Sequence, residues 1–183
     1  MLSILICTIP SRCGKLNVLL DNLNNQAALQ DQLVEIITDD TVGISIGEKR
    51  NRLVNRAVKK YVSQIDDDDQ VSPEYVFSIL QATESNPDCV GICGKIWHRN
   101  EWWTFRHSIT VGRWCRDKHN KIFFRTPNHL NPILRELCLA APFPDTSYGE
   151  DREFSERVRP LLKTEAFIED AIYYYTPSGE RHW

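Results

Sequence analysis

The chain has 183 residues, 42% hydrophobic and 10% aromatic, with a formal net charge of −3. That length suits one domain with a core of its own. The near-neutral charge argues against broad, sequence-independent nucleic-acid binding while leaving room for a local basic groove, and no apolar run approaches the roughly 20 residues of a membrane span.

In chain order, residues 2–8 make a continuous apolar run closed by Pro10. It is short and lacks a basic leader, so it reads as a first strand rather than a signal peptide. Leu16, Leu19, Leu20, Leu23 and Ala27 then share one helical face. Residues 34–37 form a second short strand that ends in Thr38, Asp39 and Asp40. A second helix follows Gly47, with Leu53, Val54, Ala57, Val58 and Tyr61 as its buried stripe. A third strand over residues 61–65 runs straight into Asp66, Asp67, Asp68 and Asp69. Ser72 is the expected N-cap of the next helix, with Pro73 at its first position and Val76, Phe77, Ile79 and Leu80 as its apolar face. Residues 90–96 are a fourth strand.

After residue 96 the pattern changes. Residues 109–114 and 121–126 read as a hairpin joined by a polar turn at 116–120, with Trp97, Trp102, Trp103 and Trp114 around it. Gly149, Glu150 and Asp151 precede a helix carrying Phe154, Val158, Leu161 and Leu162, and a last strand covers residues 166–175 before the tail. There is no internal repeat and no linker, so one domain is expected. The change of pattern after residue 96 divides it into residues 1–96 and 97–183.

Short buried strands separated by helices predict an α/β fold with a mostly parallel central sheet flanked by helices. Ligands on such sheets bind beyond the carboxyl ends of the strands, where both acidic clusters fall. The six cysteines form no CxxC pair, and Cys7 and Cys93 lie in apolar segments as free thiols. Reduced thiols point to the cytoplasm.

The Asp run is the densest chemistry. If the extended chain continued through it, Asp66 and Asp68 would face one side and Asp67 and Asp69 the other. Two carboxylates on one side at a strand end suit Mg²⁺ or Mn²⁺, which in turn can hold a diphosphate. A solvated acidic turn is the plainer reading.

Taken in order, several segments resemble the family 2 glycosyltransferases of the GT-A fold. They are Cys7-Thr8-Ile9-Pro10-Ser11-Arg12, Asp39-Asp40, Gly47-Glu48-Lys49-Arg50-Asn51, the Asp66–Asp69 run as a DXD metal motif, and Tyr148-Gly149-Glu150-Asp151. The resemblance covers residues 2–95 and about 128–162 and is weak between; it implies that residues 1–96 bind the nucleotide sugar and that residues 97–183 supply the acceptor side and the base.

It implies a Rossmann-like nucleotide-sugar-binding domain that moves a sugar from a nucleotide donor, typically a UDP-sugar, to an acceptor hydroxyl. By it, Thr8, Pro10 and Arg12 shape the nucleotide pocket, with Arg12 near the diphosphate. Asp39 or Asp40 accepts a base N–H, and Arg50 and Asn51 face the nucleotide. Asp66 and Asp67 belong to the donor site, with Asp66 reaching ribose or metal, and Asp68 ligates Mn²⁺ or Mg²⁺. A late histidine, His182, completes the metal shell, with His129 as the other candidate. Asp151, beside Glu150, is the general base of an inverting transfer.

Trp102, Trp103 and His129 are candidate acceptor contacts, since sugars and bases stack on aromatic faces. The acceptor class stays open between glycan, lipid, protein and a modified DNA base, the last needing to flip out of a duplex. The arginines and lysines between residues 99 and 125 allow an anionic one.

Three other readings compete. Asp67-Asp68-Asp69-Gln70-Val71 fits the DxDxV motif of haloacid-dehalogenase-like phosphatases, although it follows the third strand rather than the first. Asp66, Asp68 and Gln70 begin like an EF-hand loop, but Val71 and Phe77 stand where its glycine and closing glutamate belong. A nucleotide-sugar-binding domain without turnover is the third.

Overall fold

The computed structural model describes residues 1–175. Its order is β1 (Leu2–Cys7), α1 (Cys13–Ala27), β2 (Val34–Asp39), α2 (Ile46–Arg56), β3 (Tyr61–Asp66), β4 (Gln70–Val71), α3 (Tyr75–Ala82), β5 (Cys89–His98), β6 (Glu101–His107), β7 (Cys115–Asp117), β8 (Ile122–Arg125), β9 (Ile133–Leu134), α4 (Arg135–Ala140), α5 (Glu150–Val158) and β10 (Glu165–Tyr175). No helix among the described residues is long and apolar enough to cross a membrane.

All strands join one sheet. β1 lies between β2 and β3, parallel to both. The short β9 runs antiparallel between β3 and β5, so β3 and β5 point the same way. β10 lies parallel along β5 and also pairs with β4. Cys89 pairs with Glu165 on one edge and Ile133 on the other, while Gly94 pairs with Tyr173 and Phe105. The edge of β5 that meets β9 at its start is therefore taken over by β6 from Ile92 onward. From there β6, β8 and β7 form an arm.

Alternation along the strands sorts the core into two clusters. Leu2, Ile4 and Ile6 of β1 pack with Tyr61 and Ile65 of β3, Leu19 and Leu23 of α1, and Tyr75, Val76 and Ile79 of α3. Leu5 and Val62 point the other way, to Leu53 and Val54 of α2 and Phe154 and Val158 of α5. Gln64 and Asp66 share the side of Val62 by the same period of two, which aims them at α2.

Several expected boundaries shift for visible reasons. α2 stops at Arg56, Val58 is exposed, and Tyr61 opens β3, so the predicted helical stripe ran on into the next strand. The start of α2 carries the Ser45-Ile46-Gly47-Glu48 capping pattern, and the Ser45 hydroxyl accepts the Glu48 N–H at 2.9 Å. Ser72 does not cap α3, which begins at Tyr75. Gln26 of α1 accepts the Val76 N–H at 2.9 Å instead. The predicted hairpin exists, but its first strand is Cys115–Asp117, displaced from 109–114. β6 was not anticipated. Its turn, Arg99-Asn100, has both residues at positive φ (52° and 63°) without the glycine that usually marks such a hairpin.

Candidate active site

β1, β2 and β3 end together at Cys7, Asp39 and Asp66, which share one register row. Beyond Asp66 the chain does not stay extended. The Asp69 N–H donates to the Asp66 carbonyl at 3.1 Å, closing a turn that leads into β4. The expected two-sided alternation of the Asp run therefore fails, and the four carboxylates diverge to different partners.

Asp67 is buried and doubly held. The Thr8 hydroxyl donates to it at 2.7 Å and the Arg12 guanidinium at 2.8 Å. Arg12 also lies 3.5 Å from Asp68, whose side chain is fully buried. Asp69 accepts the Tyr173 hydroxyl of β10 at 2.7 Å, and the same hydroxyl receives the Asp66 N–H at 3.3 Å. Burial, reinforced by the charges of Asp69 and Asp66, pushes the Tyr173 phenol well above its usual range and keeps it a donor. Pro10 opens a single 3₁₀ turn, Pro10–Arg12, that returns Arg12 toward this acidic turn.

Asp66 meets Arg50 of α2. The guanidinium is buried and spreads over three side chains: Asp66 at 2.9 Å, Gln64 at 3.0 Å and Glu150 at 3.4 Å. Burial would push the Asp66 carboxyl up, but Arg50 outweighs it, with His129 adding, and the group lies far below the ordinary carboxylate range. The neighbouring Lys49 is also buried and donates to the Thr8 carbonyl at 2.6 Å. Burial holds Cys7 beside them protonated, its thiol pushed up to about 11. Sequence reasoning missed Lys49, Gln64 and Tyr173. Only the period-two placement of Gln64 on the α2 side offered a signal.

Glu150 links this node to the candidate base. α5 begins after Gly149, whose φ of 77° only glycine adopts without strain, and Glu150 and Asp151 occupy its first turn. Glu150 points inward to Arg50. Asp151 is half-buried, and its carboxylate accepts the Arg152 N–H at 2.7 Å. The segment before α5 is pinned to α2. The Gly47 N–H donates to the Thr146 carbonyl at 3.0 Å. Asn51 holds both backbone groups of Phe143, each at 2.9 Å. Asn51 was expected to face the nucleotide, and its amide is spent instead on this clamp.

Asp39 ends β2 next to Thr8. One carboxylate oxygen accepts the Thr41 N–H at 2.9 Å, while the other is buried without a hydrogen-bond partner, 3.5 Å from Arg52. Burial acts upward on this group, and the bonds from Thr41 and the charge of Arg52 bring it below the usual range. Asp40 beside it is exposed.

The expected acceptor residues separate. Trp102 is exposed at the far end of the arm, edge-to-face with Trp97 at 5.2 Å. Trp103 is buried, donates to Glu101 at 2.8 Å, and belongs to the core. His129 is buried under Asp66, with Nε2 3.8 Å from the carboxylate and neither ring nitrogen hydrogen-bonded. His182 lies outside the described residues. Among the described residues, no three His, Cys, Asp or Glu side chains group into a metal cage.

No protein-family profile matches the sequence. Comparison with curated proteins gives no match either. Solved structures do resemble it. S. aureus TarS 1–349 in complex with UDP-GlcNAc superposes with a TM-score of 0.68 at 14% identity, over 99% of this chain and 60% of that one. The fold is GT-A. TarS 1–349 without ligand matches with a TM-score of 0.67 at 16% identity, over 96% of this chain and 60% of that one. The complex of TarS 1–349 with UDP gives a TM-score of 0.65 at 16% identity, over 97% and 60%. The chain thus spans about 60% of the length of these TarS structures.

Against the GT-A frame, the acidic turn, Arg50 and the start of α5 all lie on the side where the parallel strands end. A phosphatase nucleophile at Asp67 does not suit this geometry, because Thr8 and Arg12 already occupy that buried carboxylate.

Proposed function

We propose that the protein is a glycosyltransferase that takes a sugar from a nucleotide donor, with UDP as the carrier, and passes it to an acceptor hydroxyl with inversion. The observation that carries this reading is the Arg50 node. One buried guanidinium ties Asp66 of the acidic turn to Glu150, the residue before Asp151, and so joins a donor-side carboxylate to a candidate base.

On the donor side, the buried Asp39 oxygen that accepts no hydrogen bond among the described residues suits a base N–H, and uracil offers one at its imide. Arg12, partly exposed beside Asp67 and Asp68, supplies positive charge for a diphosphate.

By the resemblance, Asp66 and Asp68 would hold a divalent cation of the Mg²⁺ type; in the structure Asp66 is engaged by Arg50 and Asp68 lies 3.5 Å from Arg12. Such ions take one or two carboxylates and complete their shell with water and substrate phosphates, so no all-protein cage is needed. When bound, the ion would withdraw charge from the leaving diphosphate. The residues of the chain do the rest. Asp66 is kept ionised by Arg50, and Asp67 holds Thr8 and Arg12 in place. Asp151 takes the acceptor proton as the hydroxyl oxygen forms its bond to the anomeric carbon and the nucleoside diphosphate departs from the opposite face.

The test is a thermal-shift panel of nucleotide sugars with and without Mn²⁺, on the wild type and Asp68→Asn. A metal-dependent shift with a UDP-sugar, lost in the variant, is expected. No shift with any donor would overturn the reading. A donor shift with no transfer to any acceptor hydroxyl, or to water, would leave a binding domain without turnover.

A further inference from the structure

The β7–β8 arm carries a guanidinium that the fold has fixed in place and, among the described residues, has not paired with an acid. Arg125 closes β8 in register with His107 of β6. Its guanidinium carbon lies 4.7 Å from the centre of the Trp114 ring and 5.9 Å from that of Phe123. Among the described residues it has neither a carboxylate nor a hydrogen-bond partner. The Trp114 platform is itself secured. Its indole N–H donates to the Thr126 hydroxyl at 2.8 Å, and that hydroxyl meets Ser155 of α5 at 2.5 Å. Ser155 stands one helical turn after Asp151, so the platform is attached to the helix that bears the candidate base.

The location is on the reaction side of the molecule. Tyr175 feels Arg125, Asp69, Asp66 and Asp151 together. Arg106 on β6 is different: half-buried, it is satisfied by a two-pronged pair with Glu169 at 2.8 and 3.1 Å. The arm has little acid to spare for its remaining cations. Asp117 is engaged by His119 and Asn120 in its own turn, and Glu101 by Lys121 and Trp103. Arg113, Arg116 and Lys118 are exposed beside it and form no ion pair among the described residues. An arginine stacked on an indole keeps its N–H donors for a planar or tetrahedral anion, which it can grip by two bonds at once. In the proposed donor site the diphosphate would have Arg12 for its charge.

We infer that Arg125 on Trp114 is an acceptor subsite for an anionic group, a phosphate or a carboxylate, carried by the acceptor near the hydroxyl that receives the sugar. The inference deepens the glycosyltransferase reading and rests on Asp151 as its base.

The test is a binding measurement that needs no turnover. Intrinsic tryptophan fluorescence is followed while glucose 6-phosphate, glucuronate or glucose is titrated, with UDP and Mg²⁺ saturating so that anions cannot enter the donor site. Both anionic probes, or one of them, should bind at least about tenfold more tightly than glucose, and the tighter one names the anion class. Arg125→Gln should erase that preference, Arg125→Lys should keep part of it, and the UDP-induced thermal shift should be unchanged in both. Equal binding of glucose and the anions would overturn the subsite. So would a preference that survives in Arg125→Gln, or a UDP shift lost with it. If UDP fails to shift the wild type, the donor reading fails separately, and the same titration without UDP still reads the subsite.

Discussion

Replacing Arg50 with methionine removes a buried cation while keeping its apolar stem. It strands Asp66 and Glu150, which sit 2.9 and 3.4 Å from the guanidinium, and leaves Gln64 without its donor. Breaking a buried ion pair from one side costs about 3–5 kcal/mol, because the remaining charge stays desolvated. Asp66 keeps one-fifth of its side chain exposed, which favours the lower end. At about 3 kcal/mol, and 2–4 °C per kcal/mol for a domain of this size, the melting temperature should fall by roughly 6–12 °C at pH 7.5. The loss should also depend on pH. In the wild type the folded-state pKa of Asp66 is depressed, so its contribution is complete above the unfolded carboxylate value near 4 and fades as pH drops toward the folded one. In the variant, burial acts on Asp66 without the guanidinium, and the group takes up its proton at higher pH. The gap between variant and wild type should therefore narrow on going from pH 7.5 to 4.5. Circular-dichroism melts and urea titrations at both pH values read this directly. A loss below about 1 kcal/mol at pH 7.5, or an equal loss at both pH values, would refute the assignment of Arg50 as the buried partner of these carboxylates.

Asp151→Asn should preserve the donor-induced thermal shift while slowing transfer by about 10²- to 10⁴-fold, the usual span for losing a general base. Near-normal turnover would remove Asp151 from that role. Gly47→Ala would place a methyl inside the contact shell of the Pro144 carbonyl, a backbone atom that cannot rotate away. Urea unfolding should register about 1–3 kcal/mol of destabilisation. Asn51→Ala releases Phe143 from its clamp and should lower the transfer rate while the KM for the donor stays unchanged. A raised donor KM with an intact rate would instead put Asn51 at the nucleotide.

The sheet and its ligand edge were legible because short strands alternate with amphipathic helices in the first half of the chain, and carboxylates close β2 and β3. The side of Asp66 was legible for the same reason: a strand fixes it by parity with Val62 and Gln64. The fate of the other three carboxylates was not, since it is decided by Thr8, Arg12 and Tyr173, which are distant in sequence. The β5–β6 hairpin was obscured by its Arg99-Asn100 turn, although Trp103, Phe105 and His107 do alternate inward. Ser72 looked like a cap because local sequence cannot reveal that Gln26 reaches over from another helix. Asn51, placed by resemblance at the nucleotide, is claimed by Phe143, a contact between segments that no local pattern links.

The position of β10 has a consequence for how the molecule comes into being. β10, the last strand among the described residues, is inserted beside β5, within the sheet, and its Tyr173 fastens the acidic turn. During synthesis every earlier strand must wait with one side of β5 uncovered, an edge able to recruit foreign strands. A ribosome that stalls before residue 165 would release a sticky fragment with its acidic turn unfastened. Chaperone demand should therefore stay high until residues 165–175 emerge, and donor binding should arrive abruptly as β10 docks.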